Sequence, residues 1–212
     1  MASKLDKYIL DHISPEDPLL RDLDRATHLN VVQPRMLSGH LQGEMLRMLT
    51  SVIDPGSVLE LGTFTGYSAI SIARALRPGA VLHTVEVKDE LEPLATRFIE
   101  QGGYRGRIVQ HIGSALEIVP RLDMTFDMVF IDADKREYPE YYKMLFASGS
   151  VASGSVILAD NVLWNGKVVE EPLPTDAYTR GILEFNRMVA GDSRVEKVIL
   201  PIRDGMTIIR VK

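Results

Sequence analysis

The amino-acid sequence predicts an α/β fold with a doubly wound, mostly parallel sheet. Between residues 57 and 190, apolar runs typical of strands alternate with stretches of helical periodicity. Such alternation places helices on both faces of a parallel sheet. Beyond residue 190, two further strand-like runs flank Arg203-Asp204-Gly205, a sequence typical of a hairpin turn. We therefore expect the sheet to end in an antiparallel hairpin strand.

The first 54 residues predict helices rather than strands. Residues 3–30 carry apolar side chains at helical spacing, and Pro15 and Pro18 interrupt this stretch. A second helix is predicted over residues 41–52 and ends before the turn-forming Asp54-Pro55-Gly56. The N-terminal part therefore adds helices to the α/β unit.

The α/β unit itself contains seven predicted strands and five predicted helices. Short apolar runs bounded by turn residues are typical of strands buried in a parallel sheet, and Pro139 suits the first turn of a helix. The predicted strands are residues 57–61, 81–86, 107–112, 126–132, 156–160, 195–201 and 206–211. The predicted helices are residues 67–76, 91–100, 115–121, 139–147 and 175–190.

Composition places the chain among ordinary globular proteins. Its 212 residues suffice for a substantial core, so we expect a single domain over residues 1–212. The absence of cysteine excludes disulfides, thiolate catalysis and cysteine metal sites. A net charge of −5 argues against broad nonspecific nucleic-acid binding. The uncharged stretches are too short for a membrane span and the first residues lack a signal-peptide core, which predicts a cytoplasmic protein.

Two of the predicted strands end in carboxylates. Asp132 ends the fourth strand, and Lys135 follows three residues later. Asp160 and Asn161 end the fifth strand. Ligands of open α/β sheets bind beyond the carboxyl ends of the strands, so we expect these four side chains to converge. Three oxygen donors beside an ammonium group favour a hard divalent cation and a proton transfer.

The turn after the first strand contains Gly62 and Gly66, which allow a tight backbone and a close approach to a ligand. Glu86 ends the second strand, where a carboxylate can accept both hydroxyls of a ribose. The glycine spacing differs from the pyrophosphate-binding fingerprint, which favours a nucleoside cofactor without phosphates. An ordinary glycine turn followed by a strand-end acid explains the same spacing equally well.

The segment Glu60-Leu-Gly-Thr-Phe-Thr-Gly-Tyr-Ser-Ala69 resembles motif I of class I S-adenosylmethionine-dependent methyltransferases. More narrowly, the chain is similar to the metal-dependent O-methyltransferases that include the catechol and caffeoyl-CoA O-methyltransferases. Residues 130–135, 159–164 and 200–205 resemble further motifs of this family, in the same order along the chain. The resemblance therefore extends over nearly the whole sequence.

The resemblance implies S-adenosylmethionine as cofactor and assigns contacts to individual residues. Glu60, Gly62 and Ser68 would contact the amino-acid end of the cofactor, and Ser38 would close over it. Asp132 and Asp134 would lie near the methionine chain. Glu86 would bind the ribose hydroxyls, and Ala115 would flank the adenine.

For the acceptor, the resemblance implies a metal held by Asp132, Asp160 and Asn161. Oxygen ligands without His or Cys favour Mg²⁺, with Ca²⁺ or Mn²⁺ as alternatives. Such a cation would orient two adjacent acceptor hydroxyls and lower the pKa of one. Lys135 occupies the position of the catalytic lysine of the similar catechol enzymes, so Lys135 and Asp132 are the predicted catalytic residues. Asp134 replaces an aromatic residue of the animal catechol enzymes, which leaves their substrate clamp without a counterpart.

These observations predict a magnesium-dependent O-methyltransferase that acts on a catechol-like phenolic small molecule. The implied architecture is a Rossmann-like core of seven strands over residues 55–212, with the helices of residues 1–54 covering cofactor and acceptor, in a homodimer. One alternative keeps the chemistry but methylates hydroxyuridine in tRNA. Another is a cofactor-binding protein without catalysis, against which the presence of Lys135 and Asn161 argues.

Overall fold

The protein is described by a computed structural model that covers residues 4–171, 173 and 175–212. Within this part of the chain, seven strands form one sheet in the order β3-β2-β1-β4-β5-β7-β6. The strands are β1 (Ser57–Leu61), β2 (Val81–Glu86), β3 (Ile108–Ile112), β4 (Met128–Ile131), β5 (Val156–Asp160), β6 (Val195–Leu200) and β7 (Met206–Val211). The α-helices are α1 (Lys4–Asp11), α2 (Pro18–Asn30), α3 (Gly39–Ile53), α4 (Tyr67–Ala73), α5 (Glu92–Gln101), α6 (Ala115–Leu122), α7 (Tyr138–Ala147) and α8 (Ala177–Gly191).

Strands β1–β5 run parallel, and β7 pairs antiparallel with both β5 and β6. This pairing confirms the doubly wound sheet with an antiparallel hairpin strand. Strand β7 lies beside β5 and β6 forms the edge, so the antiparallel strand lies within the sheet and not, as was expected, at its end. Met206 and Ile209 of β7 are fully buried, whereas Glu196 and Lys197 of β6 are exposed. Charged side chains are compatible with a sheet edge, where they also discourage pairing with other chains.

The alignment of the central strands brings the predicted site residues to one edge of the sheet. Leu61 is aligned with Ile131, and Ile131 with Ala159. The residues that follow, among them Asp132 and Asp160, therefore lie side by side beyond the carboxyl ends of the strands. The expected meeting of the two strand ends is confirmed.

Each face of the sheet has its own hydrophobic core because side chains alternate along the buried strands. Val129 and Ile131 point into a core shared with α6, α7 and α8. Met128 and Phe130 point into a second core shared with α2, α3, α4 and α5. Helices on both faces hold the central strands rigidly, so the side chains at their ends have fixed positions.

Several element boundaries differ from the predictions for local reasons. Pro18 begins α2, where the Asp17 side chain accepts a hydrogen bond from the backbone of Leu19 and caps the helix. After β5, a 3₁₀ segment (Trp164–Val169) was not predicted, and left-handed backbone at Asn165 interrupts it. Residue 3, where the first helix was predicted to begin, lies outside the described residues. None of the helices in the described part of the chain is both long enough and apolar enough to span a membrane.

Candidate active site

The Lys135 ammonium forms an ion pair with Asp132 at the end of β4. Lys135 Nζ lies 2.7 Å from Asp132 Oδ1, and both side chains are largely buried. A short 3₁₀ turn (Lys135–Glu137) begins at the lysine and leads into α7, which places Nζ 5.2 Å above the ring of Tyr138. The carboxylate and the aromatic face both stabilise a cation here. The lysine is therefore held at the strand end instead of extending into solvent.

Asp160 ends β5 with a side chain that is almost inaccessible to solvent. Its Oδ2 accepts a hydrogen bond of 2.7 Å from Nε2 of Gln42 on α3. Burial and the nearby negative charge of Asp132 together raise the pKa of Asp160 to about 7, although Lys135 opposes the shift. Two buried carboxylates this close favour a cation between them, because a positive charge stabilises both ionised forms.

Tyr138 fixes the distance between the two strand ends. Its ring is fully buried, and its hydroxyl lies 3.0 Å from the carbonyl oxygens of both Ile131 and Asp160. The same hydroxyl therefore hydrogen-bonds at the ends of β4 and β5. This contact holds the backbones of the two strands that carry the carboxylates.

The predicted metal ligands Asp132, Asp160 and Asn161 supply two carboxylates and an amide at this edge. Asn161 adopts a left-handed backbone (φ 60°), which turns the chain directly after Asp160. Within the described residues, no three His, Cys, Asp or Glu side chains converge into a metal cluster. The predicted set includes Asn161 as its third member, and its all-oxygen chemistry fits a hard cation. Metal binding stays a prediction.

The turn after β1 is anchored to β2 through Glu86. The Glu86 carboxylate accepts hydrogen bonds from the backbone of Phe64 (2.8 Å) and Lys88 (3.1 Å). Gly62 donates to the carbonyl of Val85 and has φ +100°. A Cβ at Gly62 would lie 2.8 Å from the carbonyl carbon of Asp132, so the turn can approach β4 only with glycine here.

Glu60 is completely buried in β1, near the carboxylates of Asp132 and Glu86. Its Oε2 accepts a hydrogen bond of 2.5 Å from the Thr84 hydroxyl, and its Oε1 has no partner among the described residues. Burial raises the pKa of Glu60 to about 8, and the hydrogen bond from the Thr84 hydroxyl opposes this shift. An unpaired, buried carboxylate oxygen is costly unless a ligand donates to it. The ammonium group of an amino acid is such a donor.

The remaining predicted cofactor residues surround the same edge. Ser38 is buried directly before α3, Ser68 is buried in α4, and Ala115 begins α6. Asp134 accepts hydrogen bonds from the backbone and the guanidinium of Arg136, which hold the pKa of Asp134 below its usual range. The Asp134 carboxylate is therefore already paired within its own turn. Its predicted cofactor contact stays a prediction.

Sequence reasoning missed several residues that shape the site. Gln42 contacts Asp160 from α3, and Arg203 in turn donates to Gln42. Thr84 is aligned with Glu60 in the neighbouring strand, so the parallel pairing of β1 and β2 was a signal that could have found it. Gln42 lies one helical turn before Leu46 on the buried face of α3, and a polar residue at a buried helical position was the available signal for it.

Comparisons with known proteins agree with this geometry. The model of a family described as O-methyltransferase matches residues 11–212. A caffeoyl-CoA O-methyltransferase from Eucalyptus gunnii is 34% identical over 224 residues, which cover 99% of this chain and 88% of that protein. A catechol O-methyltransferase from Niastella koreensis is 33% identical over 217 residues, covering 98% and 96% of the two chains.

Solved structures give the same result. The structure of the O-methyltransferase from Bacillus cereus in complex with S-adenosylhomocysteine (SAH) matches this fold with a TM-score of 0.90. The two chains are 28% identical, and the match covers 98% of this chain and 97% of that chain. The fold similarity therefore includes the whole carboxyl edge of the sheet.

Proposed function

Because the chain belongs to the O-methyltransferase family, we propose that it transfers a methyl group from S-adenosylmethionine to a metal-chelated hydroxyl of a catechol-like phenol. The pairing of Lys135 with Asp132 beside the buried Asp160 is the observation that carries this proposal. It combines a proton acceptor with oxygen ligands for a cation at one end of the sheet.

Glu60 and Glu86 are the residues that would hold the cofactor. The unpaired Oε1 of Glu60 would accept a hydrogen bond from the cofactor ammonium. The Glu86 carboxylate, fixed by two backbone N–H groups, would bind the ribose hydroxyls. Because Gly62 has no Cβ, the turn after β1 can lie directly against the backbone of Asp132. When bound, S-adenosylmethionine would supply its sulfonium methyl group for the new O–CH₃ bond, and with the S–CH₃ bond broken it would leave as S-adenosylhomocysteine.

The other half of the proposed site binds and deprotonates the acceptor. Asp132, Asp160 and Asn161 would hold a divalent cation, which when bound supplies Lewis acidity to the acceptor hydroxyls. A cation held at Asp132 would disfavour the nearby Lys135 ammonium, and neutral Lys135 would take the proton of the hydroxyl at Nζ. Asp132 and the ring of Tyr138 would then stabilise the ammonium that forms. The protein contributes mainly positioning and charge control.

The proposed acceptor is a small phenol. The relatives include caffeoyl-CoA and catechol O-methyltransferases, and both of these acceptors are phenols. This similarity favours a phenol over the hydroxyuridine of tRNA as the acceptor.

The test is methyl transfer from isotope-labelled S-adenosylmethionine to catechol, with transfer RNA offered in a parallel reaction. We expect labelled catechol, and loss of the label when excess chelator is added or when Asp160→Ala is used. A rate that is unchanged by the chelator would contradict the role of the metal. Label in RNA but not in catechol would instead support the hydroxyuridine alternative.

A further inference from the structure

Gln42 joins α3 to the acceptor half of the site. Its side chain is 2% exposed, and its Nε2 donates to Asp160 Oδ2 at 2.7 Å. Within the described residues, no other side-chain hydrogen bond reaches the Asp160 carboxylate. The orientation of this buried carboxylate therefore depends on a residue 118 positions away along the chain.

Arg203 determines which end of the Gln42 amide faces Asp160. The Arg203 guanidinium donates to Gln42 Oε1 at 2.5 Å. An arginine can only donate, so the amide oxygen must face it and the amide NH₂ must face the carboxylate. With the amide reversed, an NH₂ would face the guanidinium and a carbonyl would face Asp160. Both of those contacts would be repulsive.

The turn that carries Arg203 is itself fixed to the loop after Asp160. Val162 donates to the carbonyl of Gly205 (3.1 Å), and Leu163 donates to the carbonyl of Asp204 (2.9 Å). Arg203 has a left-handed backbone (φ 49°), a conformation found mainly in tight turns. The backbone that carries the guanidinium is therefore held in place next to the site.

We infer that Gln42 is a positioning residue that orients Asp160 for cation binding, and that Arg203 orients Gln42. This inference rests on the proposed function, because it assumes that Asp160 binds a cation. Gln42 donates to Oδ2, and no other side chain in the described part of the protein hydrogen-bonds this carboxylate. Tyr138 holds the backbone of Asp160, and Gln42 holds its side chain. Residues that orient a metal ligand in this way control metal affinity.

The inference also gives the N-terminal helices a role in the acceptor site. Helix α3 begins one residue after Ser38, which is predicted to close over the cofactor, and carries Gln42 one turn later. A single rigid helix therefore links the cofactor side of the site to the carboxylate that would bind the cation.

The decisive experiment is a calorimetric titration of Mn²⁺ into the protein saturated with SAH. We expect Gln42→Met, which keeps the side-chain length but cannot donate, to weaken Mn²⁺ binding by about 10- to 100-fold. SAH affinity should change less than about twofold, because neither Glu60 nor Glu86 contacts Gln42. Arg203→Met should weaken Mn²⁺ binding severalfold, and Arg203→Lys should restore most of it, since the ammonium still donates to Oε1.

Thr50→Val is the matched control. Thr50 is also buried in α3, but its hydroxyl donates to the carbonyl of Leu46 within the helix, away from the site. The control should lower the melting temperature without changing Mn²⁺ affinity. Unchanged Mn²⁺ affinity in Gln42→Met, or an equal loss of Mn²⁺ and SAH affinity, would overturn the inference alone. Wild-type protein that binds no Mn²⁺ would overturn both the inference and the metal part of the proposed function.

Discussion

Gly181 of α8 lies so close to the carbonyl oxygen of Lys135 that there is no room for a Cβ between them. A Cβ added at Gly181 would also lie 2.9 Å from the Cα of Arg136. Helix α8 therefore packs directly against the backbone of the turn that presents the lysine. This contact holds the backbone of the turn in place, and the ion pair with Asp132 holds the Lys135 ammonium.

The first prediction concerns this contact. Gly181→Ala should displace the turn and lower kcat by about tenfold or more, because small misplacements at a reacting group are costly. Overpacking should also lower stability by about 1–3 kcal/mol. SAH affinity should be retained. Gly191→Ala, in the same helix with open space around it, is the control and should leave kcat unchanged. Equal kcat values for the two variants would show that the contact does not position the lysine.

The second prediction concerns Lys135 as the proposed proton acceptor. Lys135→Met keeps the length of the side chain but removes the amine, so turnover should fall by about 10²- to 10⁴-fold. Lys135→Arg should not rescue turnover, because a guanidinium stays protonated. SAH affinity, measured by calorimetry, should stay within about twofold of wild type in both variants. If affinity fell in parallel with turnover, the role as proton acceptor would be wrong.

The third prediction concerns Glu60 in the ligand-free protein. The pKa of Glu60 is about 8 in the folded protein, above its usual value of 4.5. Between pH 4.5 and pH 8, the folded protein therefore keeps a proton on Glu60 that the unfolded chain has released. Its contribution to stability therefore decreases as pH rises through this range. Glu60→Gln removes this penalty and should raise the free energy of unfolding at pH 8 by about 1–3 kcal/mol, measured by denaturant titration at pH 5 and pH 8.

The same glutamate predicts proton release on cofactor binding. A ligand ammonium beside Glu60 favours the ionised carboxylate, so binding of SAH near pH 7 should release a proton. Calorimetry in two buffers of different ionisation enthalpy measures this release. Glu60→Gln should abolish it and weaken SAH binding by about 10- to 100-fold. Identical proton release in the variant would exclude Glu60 as its source.

The fourth prediction concerns stability at acidic pH. The Asp192 carboxylate accepts hydrogen bonds from Arg194 and from the Tyr142 hydroxyl, and Arg194 holds the pKa of Asp192 well below its usual range. A lowered pKa stabilises the fold above the unfolded-state pKa, and this stabilisation is lost as pH falls below about 4. Asp192→Asn should lower the free energy of unfolding at pH 7 by about 1 kcal/mol.

The control for Asp192 is Glu196→Gln. Glu196 pairs with Arg210 across the β6–β7 hairpin, and both side chains are exposed. Pairs of this kind contribute little to stability. A denaturation series between pH 3 and pH 7 should therefore separate Asp192→Asn from wild type, with the difference shrinking towards pH 3, while Glu196→Gln follows wild type throughout.

The local pattern of the sequence determined the sheet, its helices and the two strand ends. Hydrophobic runs, glycine turns and the order of the elements are properties of neighbouring residues, and parallel pairing then forces Asp132 and Asp160 to the same edge. The resemblance of residues 60–69 to a methyltransferase motif added the proposed cofactor. These inferences needed no knowledge of how helices pack on the sheet.

Only the tertiary structure decided how the site residues are held. Gln42 and Asp160 are 118 positions apart, and Gln42 and Arg203 are 161 positions apart. Their contacts depend on the packing of α3 and on the geometry of the β6–β7 turn, and no local periodicity encodes either. The unpaired oxygen of Glu60 is likewise a result of burial from several directions. The local sequence determines where the strands end, whereas packing between distant elements determines which side chains become partners.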